Sequence, residues 1–137
     1  MITIQPYLHY QEKEILPLYQ AVGWSNYTKD PSMLQRAYVH SLCTLGAYHK
    51  DQLVGIIRVV GDEASILYIQ DLIVLPFYQR KGIGTKLLKD ILKRYPKIYQ
   101  IVLLTDQTEK TKQFYQSLGF SPVDQLECRS FIYTGTH

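Results

Sequence analysis

The segment LIVLPFYQRKGIGTKLL, residues 72–88, limits what this chain can fold into more than any other part of it. An apolar run that ends at Pro76 is typical of a strand, because proline cannot donate to a ladder. After Gly84, apolar side chains repeat at helical spacing as far as Tyr95, and Pro96 ends the pattern. The segment therefore predicts a strand, a glycine-containing loop and a helix in direct succession.

The loop of this unit carries the features of an anion-binding site. The first N–H groups of a helix have no partner within the helix, and the helix dipole favours negative charge there. Gly82 and Gly84 lack a Cβ, so a phosphate can approach the backbone closely. Positive charge is added by Arg80, Lys81 and Lys86. The order Gly-Thr-Lys excludes a P-loop, and a leucine replaces the third glycine of a Rossmann pattern. We expect this loop to hold a phosphate or pyrophosphate.

The remaining patterns predict one mixed α/β domain that covers residues 1–137. Strands are expected at residues 2–4, in the runs TLGAYHK, LVGIIRVV and SILYIQDLIV, and at residues 98–104 and 126–133. Helices are expected at residues 11–22, from Asp30-Pro31 to Leu42, after Gly84 and from Glu109 to Leu118. The predicted order is therefore β-α-α-β-β-β-α-β-α-β.

Composition excludes several classes of protein. No long run of Lys and Arg accompanies the net charge of +3, so nucleic acid is not an expected partner. No stretch reaches the roughly 18 apolar residues of a membrane helix, and the N-terminus lacks the basic start of a signal peptide. Cys43 and Cys128 have no metal-type spacing and are expected to be buried, reduced thiols. We therefore expect a cytoplasmic protein without a metal site or a membrane partner.

Two motifs in the chain resemble those of the GNAT superfamily of acyl-CoA-dependent N-acetyltransferases. In the first, residues 72–88, a hydrophobic strand and a proline precede [QR]-x-x-G-x-[GA], here Gln79 to Gly84. The second is QFYQSLGF, Gln113 to Phe120, which is similar to the family's FY-x-x-x-GF signature. Both occur in the family's order and separation, and the resemblance covers at least residues 50–120.

The resemblance implies a fold and a co-substrate. GNAT proteins have a central, mostly antiparallel sheet flanked by helices, whose fourth and fifth strands splay apart to admit the pantetheine arm of acetyl-CoA. Carried over to this chain, the backbones of Ile73 and Val74 would bond the pantetheine and the acetyl carbonyl. Thr108 stands where many members have an asparagine that bonds the pantetheine, but threonine has a shorter reach, and Asp106 or Thr108 could instead cap the helix that follows. The pyrophosphate would be bound by the backbone amides of Gln79, Arg80, Lys81, Gly82, Ile83, Gly84 and Thr85.

The family's reaction implies an acid and a base. Tyr115 occupies the usual position of the general acid, where a phenol protonates a departing thiolate whose thiol has a pKa of about 8.5. The alternative is that Tyr115 is a core residue only. A primary amine with a pKa of about 10.4 must lose a proton before it attacks, which costs about 4.6 kcal/mol at pH 7. Asp71 is the leading candidate for the base, and the alternatives are a histidine, water, or an Asp71 that only binds the ammonium.

The acceptor is the least defined part of this interpretation. WSNYT, residues 24–28, holds the only tryptophan, and Trp24 with Tyr27 could line a site for an aromatic or cationic amine. The same pair could instead close a helix turn onto the core. We expect direct attack by a small-molecule amine or a peptide in a ternary complex, without a cysteine relay. The second hypothesis is a non-catalytic acyl-CoA-binding module, which would need neither Asp71 nor Tyr115. Homodimers are common in the family.

Overall fold

The computed structural model describes residues 1–135 of the chain. These residues form two compact units, one from Met1 to Leu104 and one that begins at Thr105. The prediction of a single domain over residues 1–137 stays a prediction. Among the described residues, no helix is both long enough and apolar enough to cross a membrane.

The first unit contains a five-stranded sheet in the order β1-β2-β3-β4-β5. Its strands are β1 (Ile2–Pro6), β2 (Cys43–His49), β3 (Gln52–Gly61), β4 (Ile66–Val74) and β5 (Gln100–Leu103). Its helices are α1 (Glu12–Ala21), α2 (Ser25–Thr28), α3 (Pro31–Val39) and α4 (Ile83–Arg94), with a 3₁₀-helix at Pro76–Tyr78. Only β4 and β5 are parallel, and the other neighbouring strands are antiparallel. A mixed sheet flanked by helices confirms the predicted fold class.

The second unit contains α5, Glu109–Ser117, and a 3₁₀-helix at Val123–Leu126. The side chain of Thr108 caps α5, because its hydroxyl accepts a hydrogen bond from the Thr111 N–H at 3.3 Å. This is the capping role that threonine often takes at the start of a helix.

Helices cover both faces of the sheet in the first unit. One face is covered by α4, whose side chains Ile83, Leu87, Leu88 and Ile91 are at most 1% exposed. On the other face, Ile56 and Ile73 of the sheet join side chains of α1 and α3 in one apolar core. Each such buried side chain stabilises the fold by about 1.5–3 kcal/mol. The packing holds β4 and the start of α4 in place on the two faces of the sheet.

Strand β4 contains a β-bulge in its ladder with β3. Arg58 lies opposite Asp71, and Val59 lies opposite Ile69, so Gln70 is an extra residue on the β4 side. A bulge of this kind interrupts the alternation of side chains and turns two successive residues toward one face. Gln70 and Asp71 are accordingly brought side by side.

The pairing of β4 with β5 stops before β4 does. The parallel ladder runs from Ile66 opposite Gln100 to Ile69 opposite Leu103, whereas β4 itself continues to Val74. Over residues 70–74 the strand therefore has a neighbour on its β3 side only, within the described part of the chain. This opening confirms the predicted splay of the fourth and fifth strands.

Two sequence predictions are wrong. Residues 126–133 form no strand. Glu127 lies in a turn with a left-handed backbone (φ 58°), and the segment pairs with no other strand. The thiol of Cys128 is exposed instead of buried, and that of Cys43 is half-buried.

Candidate active site

The backbone N–H and C=O groups of β4 point alternately toward β3 and toward the opening. The Leu75 N–H donates to the Val54 carbonyl at 2.9 Å, and antiparallel pairing alternates between bonded and non-bonded residues. The backbone groups of Ile73 therefore belong to the ladder with β3, and those of Leu72 and Val74 are directed toward the opening. The Val74 carbonyl accepts from the Gln79 side-chain amide at 2.9 Å. The groups left for a ligand are both polar groups of Leu72 and the Val74 N–H.

The N-terminus of α4 follows this opening directly. Gly82 is the N-cap in a left-handed conformation (φ 81°), and no side chain caps the helix. The first bond within the helix is donated by the Lys86 N–H to the Gly82 carbonyl at 3.0 Å. The three N–H groups before it, on Ile83, Gly84 and Thr85, have no acceptor within the helix. A Cβ added at Gly82 would have no atom within 4 Å, so the space beside this cap is open.

The residues before this cap form a positively charged turn. Arg80 adopts a left-handed backbone (φ 64°), as does Gly82 two residues later. Successive N–H groups in a turn that contains left-handed residues can form an anion-binding concavity. The Lys81 ammonium lies over the exposed Phe77 ring, 4.9 Å from its centroid. Arg80, Lys81 and Gly82 are all exposed.

Asp71 is buried in the face of the sheet that α1, α2 and α3 cover. Its side chain forms an ion pair with Arg58, at 2.8 Å from both Nε and Nη2 to Oδ2. Both residues are nearly inaccessible, at 2% exposure for Asp71 and 4% for Arg58. Such a pair is costly to break, because the remaining charge would be buried without a partner.

Three tyrosines complete a hydrogen-bonded cluster with this pair. Tyr19 donates to Asp71 Oδ2 at 2.7 Å, and Tyr27 donates to Oδ1 at 3.2 Å. Tyr38 bonds the Tyr19 hydroxyl at 2.9 Å, and the Gln70 amide donates to the Tyr27 hydroxyl at 3.0 Å. We call these residues the Asp71 cluster. It runs from the buried Arg58 to the exposed Gln70.

The phenols of this cluster stay protonated at neutral pH. Burial raises the pKa of Tyr19 far above its usual range, and the neighbouring Tyr38 and Asp71 raise it further. Burial also raises the pKa of Tyr38 and, with the Asp71 charge, that of Tyr27. The three phenols therefore act as neutral hydrogen-bond donors and acceptors.

The structure brings several predicted site residues together. Trp24 and Tyr27 lie beside each other, with ring centroids 6.3 Å apart, and both pack against the Tyr19 ring. Tyr27 bonds Asp71 directly, so a predicted acceptor residue and the predicted base share one cluster. The role of Asp71 as a base stays a prediction.

The remaining predicted residues lie in the second unit. Tyr115 is half-buried in α5, with its ring 5.0 Å from Phe114 and 5.8 Å from Phe120 by centroid. Burial, followed by the Asp106 charge, raises the pKa of Tyr115 to about 12. Tyr115 therefore carries a proton at neutral pH, as a general acid must. The roles predicted for Tyr115 and Thr108 toward acetyl-CoA stay predictions.

Sequence reasoning missed Leu72, Arg58, Tyr19 and Tyr38. The signal for Arg58 was present, because one arginine inside the apolar run LVGIIRVV requires a buried partner of opposite charge. Nothing in the spacing of Tyr19 and Tyr38 separated them from the other tyrosines among the twelve. Leu72 depends on ladder alternation, which the sequence does not show.

The fold is shared with known acetyltransferases. The family model of the acetyltransferase (GNAT) domain matches residues 9–133. A solved GNAT family acetyltransferase from Streptococcus pneumoniae TIGR4 is 43% identical, with a TM-score of 0.92 and 100% of each chain covered. The PaiA N-acetyltransferase of Thermoplasma acidophilum, solved in complex with coenzyme A, is 18% identical and covers 88% of this chain and 90% of its own. Its TM-score of 0.72 shows a common fold.

Curated relatives are similar in sequence over most of this chain. An uncharacterized N-acetyltransferase ycf52-like protein of Prochlorococcus marinus is 32% identical over 114 residues, which is 79% of this chain. The matched region spans 61% of that protein and 61% of a second such relative, from Gracilaria tenuistipitata. The match of the family model shows that this chain belongs to the GNAT acetyltransferase family.

Proposed function

We propose that this protein is an N-acetyltransferase that transfers the acetyl group of acetyl-CoA to a primary amine of a small molecule or peptide. The observation that carries the proposal is the open edge of β4, which leads directly to an uncapped, glycine-containing helix N-terminus. An extended ligand with amide groups can bond such an edge as an added strand does. Its phosphates can then bond the free N–H groups of α4.

The residues present fit acetyl-CoA. The free backbone groups of Leu72 and Val74 suit the amides of pantetheine and the thioester carbonyl. The role that the family resemblance gave to Ile73 passes to Leu72, because the Ile73 groups bond β3. The pyrophosphate would lie on the N–H groups of residues 80–85, beside Arg80 and Lys81. Acetyl-CoA supplies an activated acyl group in this position.

The proposed reaction is direct attack in a ternary complex. The lone pair of the neutral amine forms a bond to the thioester carbon, the C–S bond breaks, and coenzyme A leaves as a thiolate. The amine nitrogen gives up one proton to water or a nearby base, and the thiolate receives one. Tyr115 is proposed as the donor to sulfur, because its phenol is protonated at neutral pH and lies at the family's usual position for the general acid.

The test is a calorimetric titration with acetyl-CoA, followed by measurement of thiol release with a panel of primary amines. We expect micromolar binding, about −8 kcal/mol, and amine-dependent release of coenzyme A. Tyr115→Phe should lower the release rate about tenfold or more, within the range of general acid catalysis, and leave acetyl-CoA affinity unchanged. Binding without turnover for any amine would favour the non-catalytic acyl-CoA-binding module. An absence of binding would refute the proposal.

A further inference from the structure

The charge of Asp71 fixes the direction of the hydrogen bonds that lead to the surface. A carboxylate only accepts, so Tyr27 must use its single hydroxyl proton on Asp71 Oδ1. The Tyr27 oxygen must then accept from Gln70, which orients the amide with its nitrogen toward Tyr27. At the exposed end of the Asp71 cluster, two positions can still accept a hydrogen bond from a ligand. They are the carbonyl oxygen of Gln70 and a second lone pair of the Tyr27 oxygen.

The same contacts restrict what Asp71 can do. Its two oxygens receive four bonds, two from Arg58 and one each from Tyr19 and Tyr27. Three of these bonds are made to Oδ2 and one to Oδ1, and the Asp71 side chain is only 1% exposed, so burial leaves an incoming amine no access to the remaining lone pair of Oδ1. A proton on Asp71 would point at groups that themselves donate hydrogen bonds to it. It would also remove the negative charge that pairs with the buried Arg58 guanidinium.

We propose that Asp71 is a positioning residue, and that Tyr27 and Gln70 are the residues that contact the acceptor amine. This inference rests on the proposed function and assigns its acceptor site. The bulge makes the contact possible, because it places Gln70 and Asp71 on one face, where a single phenol bonds both. Without the bulge the two side chains would alternate to opposite faces.

The two hydrogen-bond acceptor atoms, the Tyr27 hydroxyl oxygen and the Gln70 carbonyl oxygen, favour primary amines. A neutral primary amine has two N–H donors and one lone pair. If Tyr27 and Gln70 accept from the two donors, the lone pair is left free to attack. A tertiary or quaternary nitrogen has too few donors for this arrangement and cannot form a stable amide.

The position along β4 is compatible with attack on the thioester. Gln70 and Leu72 are two residues apart, which is about 7 Å along a strand. An amine held by Tyr27 and Gln70 and an acetyl carbonyl held by the Leu72 N–H would therefore lie along the same stretch of β4, where the strand has no β5 partner.

The experiment uses the full chain labelled with [13Cζ]tyrosine, with the Tyr27 signal assigned by its loss in Tyr27→Phe. The probes are n-butylamine and butyltrimethylammonium, which carry the same charge at pH 7 but differ in N–H donors. We expect butylamine to shift the Tyr27 signal saturably and butyltrimethylammonium to leave it in place. An unchanged Tyr27 signal with butylamine, or equal shifts with both cations, would overturn the proposal.

Variants separate contact from positioning. Gln70→Leu should weaken the butylamine response at least tenfold, and Tyr48→Phe, which alters a half-buried tyrosine of β2, should leave it unchanged. Asp71→Asn should displace the Tyr27 signal and abolish the response in protein whose spectrum otherwise shows the native fold. If Asp71→Asn does not fold, the butylamine titration of Gln70→Leu tests the assignment by itself. An undiminished response in Gln70→Leu would contradict the assignment.

The readout is independent of acetyl transfer. Butylamine binding is measured without acetyl-CoA, so a failure there concerns the acceptor site alone. A failure of acetyl-CoA binding concerns the proposed function and leaves the Tyr27 result interpretable.

Discussion

At the scale of single residues, Arg58 and Asp71 are the pair on which the candidate site depends. Each is the only charged residue in its apolar strand, and they lie opposite each other in the ladder. The guanidinium also lies over the Tyr38 ring, 5.3 Å from its centroid, and donates to the Ser41 hydroxyl at 3.1 Å. The pair therefore connects the sheet to α3 and the loop that follows it.

Removing one partner of this pair should be more damaging than removing both. Asp71→Ala leaves a buried, unpaired guanidinium and should lower the free energy of unfolding by about 3–5 kcal/mol. The double variant Arg58→Met/Asp71→Leu should lose less, because no buried charge remains. Urea unfolding measures the loss of stability in both variants.

The matched control is the exposed pair of Arg94 and Asp90, whose side chains are 41% and 29% exposed. Asp90→Ala should change the free energy of unfolding by no more than about 1 kcal/mol, as is usual for surface pairs. If Asp71→Ala were no more destabilising than Asp90→Ala, our account of the buried pair would be incorrect.

At the scale of elements, the start of α4 combines two functions of glycine. Gly82 takes a left-handed backbone that a side chain would strain, whereas Gly84 has no positive φ. The backbone of Gly84 therefore does not require glycine, and the proposed reason for glycine there is the close approach of a phosphate. Stability and ligand binding should respond differently to substitution at Gly84.

Gly84→Glu tests this separation. A carboxylate in the first turn of a helix is favourable by about 0.3–1 kcal/mol, so the free energy of unfolding should not fall by more than the usual surface effect. Acetyl-CoA affinity should fall at least tenfold, about 1.4 kcal/mol, because charge and bulk oppose the pyrophosphate. Calorimetry and thermal unfolding measure the two effects.

Lys89→Gln makes the same change in net charge at an exposed position of the same helix. Its acetyl-CoA affinity should stay near that of the native chain. Equal losses in Lys89→Gln and Gly84→Glu would mean that net charge alone, and not the loop, determines binding.

Elements also show where local patterns are insufficient. The helix start at Asp30-Pro31 is confirmed, with the Asp30 side chain accepting from the Met33 N–H at 3.2 Å. That signal is local, because a cap and its helix are adjacent in the chain. The strand over residues 126–133 was predicted from a similar local pattern, yet a strand forms only where a second strand supplies its hydrogen bonds.

At the scale of the whole molecule, the net charge of +3 is small for an anionic ligand. The attraction should therefore come from Arg80, Lys81 and Lys86, which are exposed around one helix N-terminus. Charges that are exposed in this way are screened by salt within a Debye length of about 10 Å at 0.1 M. Acetyl-CoA affinity should consequently depend on ionic strength.

We expect the dissociation constant for acetyl-CoA to rise when NaCl is increased from about 50 to about 500 mM, since screening weakens exposed charges. Lys86→Gln should weaken binding at low salt and reduce this dependence. Lys97→Gln, an equal change beyond the far end of α4, should do neither, because a helix of 12 residues separates the two ends by about 18 Å. Salt-independent binding would show that backbone contacts alone hold the ligand.

The sequence by itself determined the parts of this protein that depend on neighbours in the chain. The glycine loop, the helix behind it and the strand before it are one continuous segment, so their order and chemistry follow from residues 72–88. The same holds for the family: the two motifs that indicate it are each continuous in the chain, and the family model matches residues 9–133.

The tertiary structure alone decided which residues meet. Tyr27 and Asp71 are separated by 44 positions, and the bulge that turns Gln70 toward Tyr27 is defined by the register of β3 against β4. Register is a property of two strands, so no spacing within one of them encodes it. For that reason the sequence pointed to Asp71 only as a candidate, and the fold showed that Arg58, Tyr19 and Tyr27 bond its oxygens.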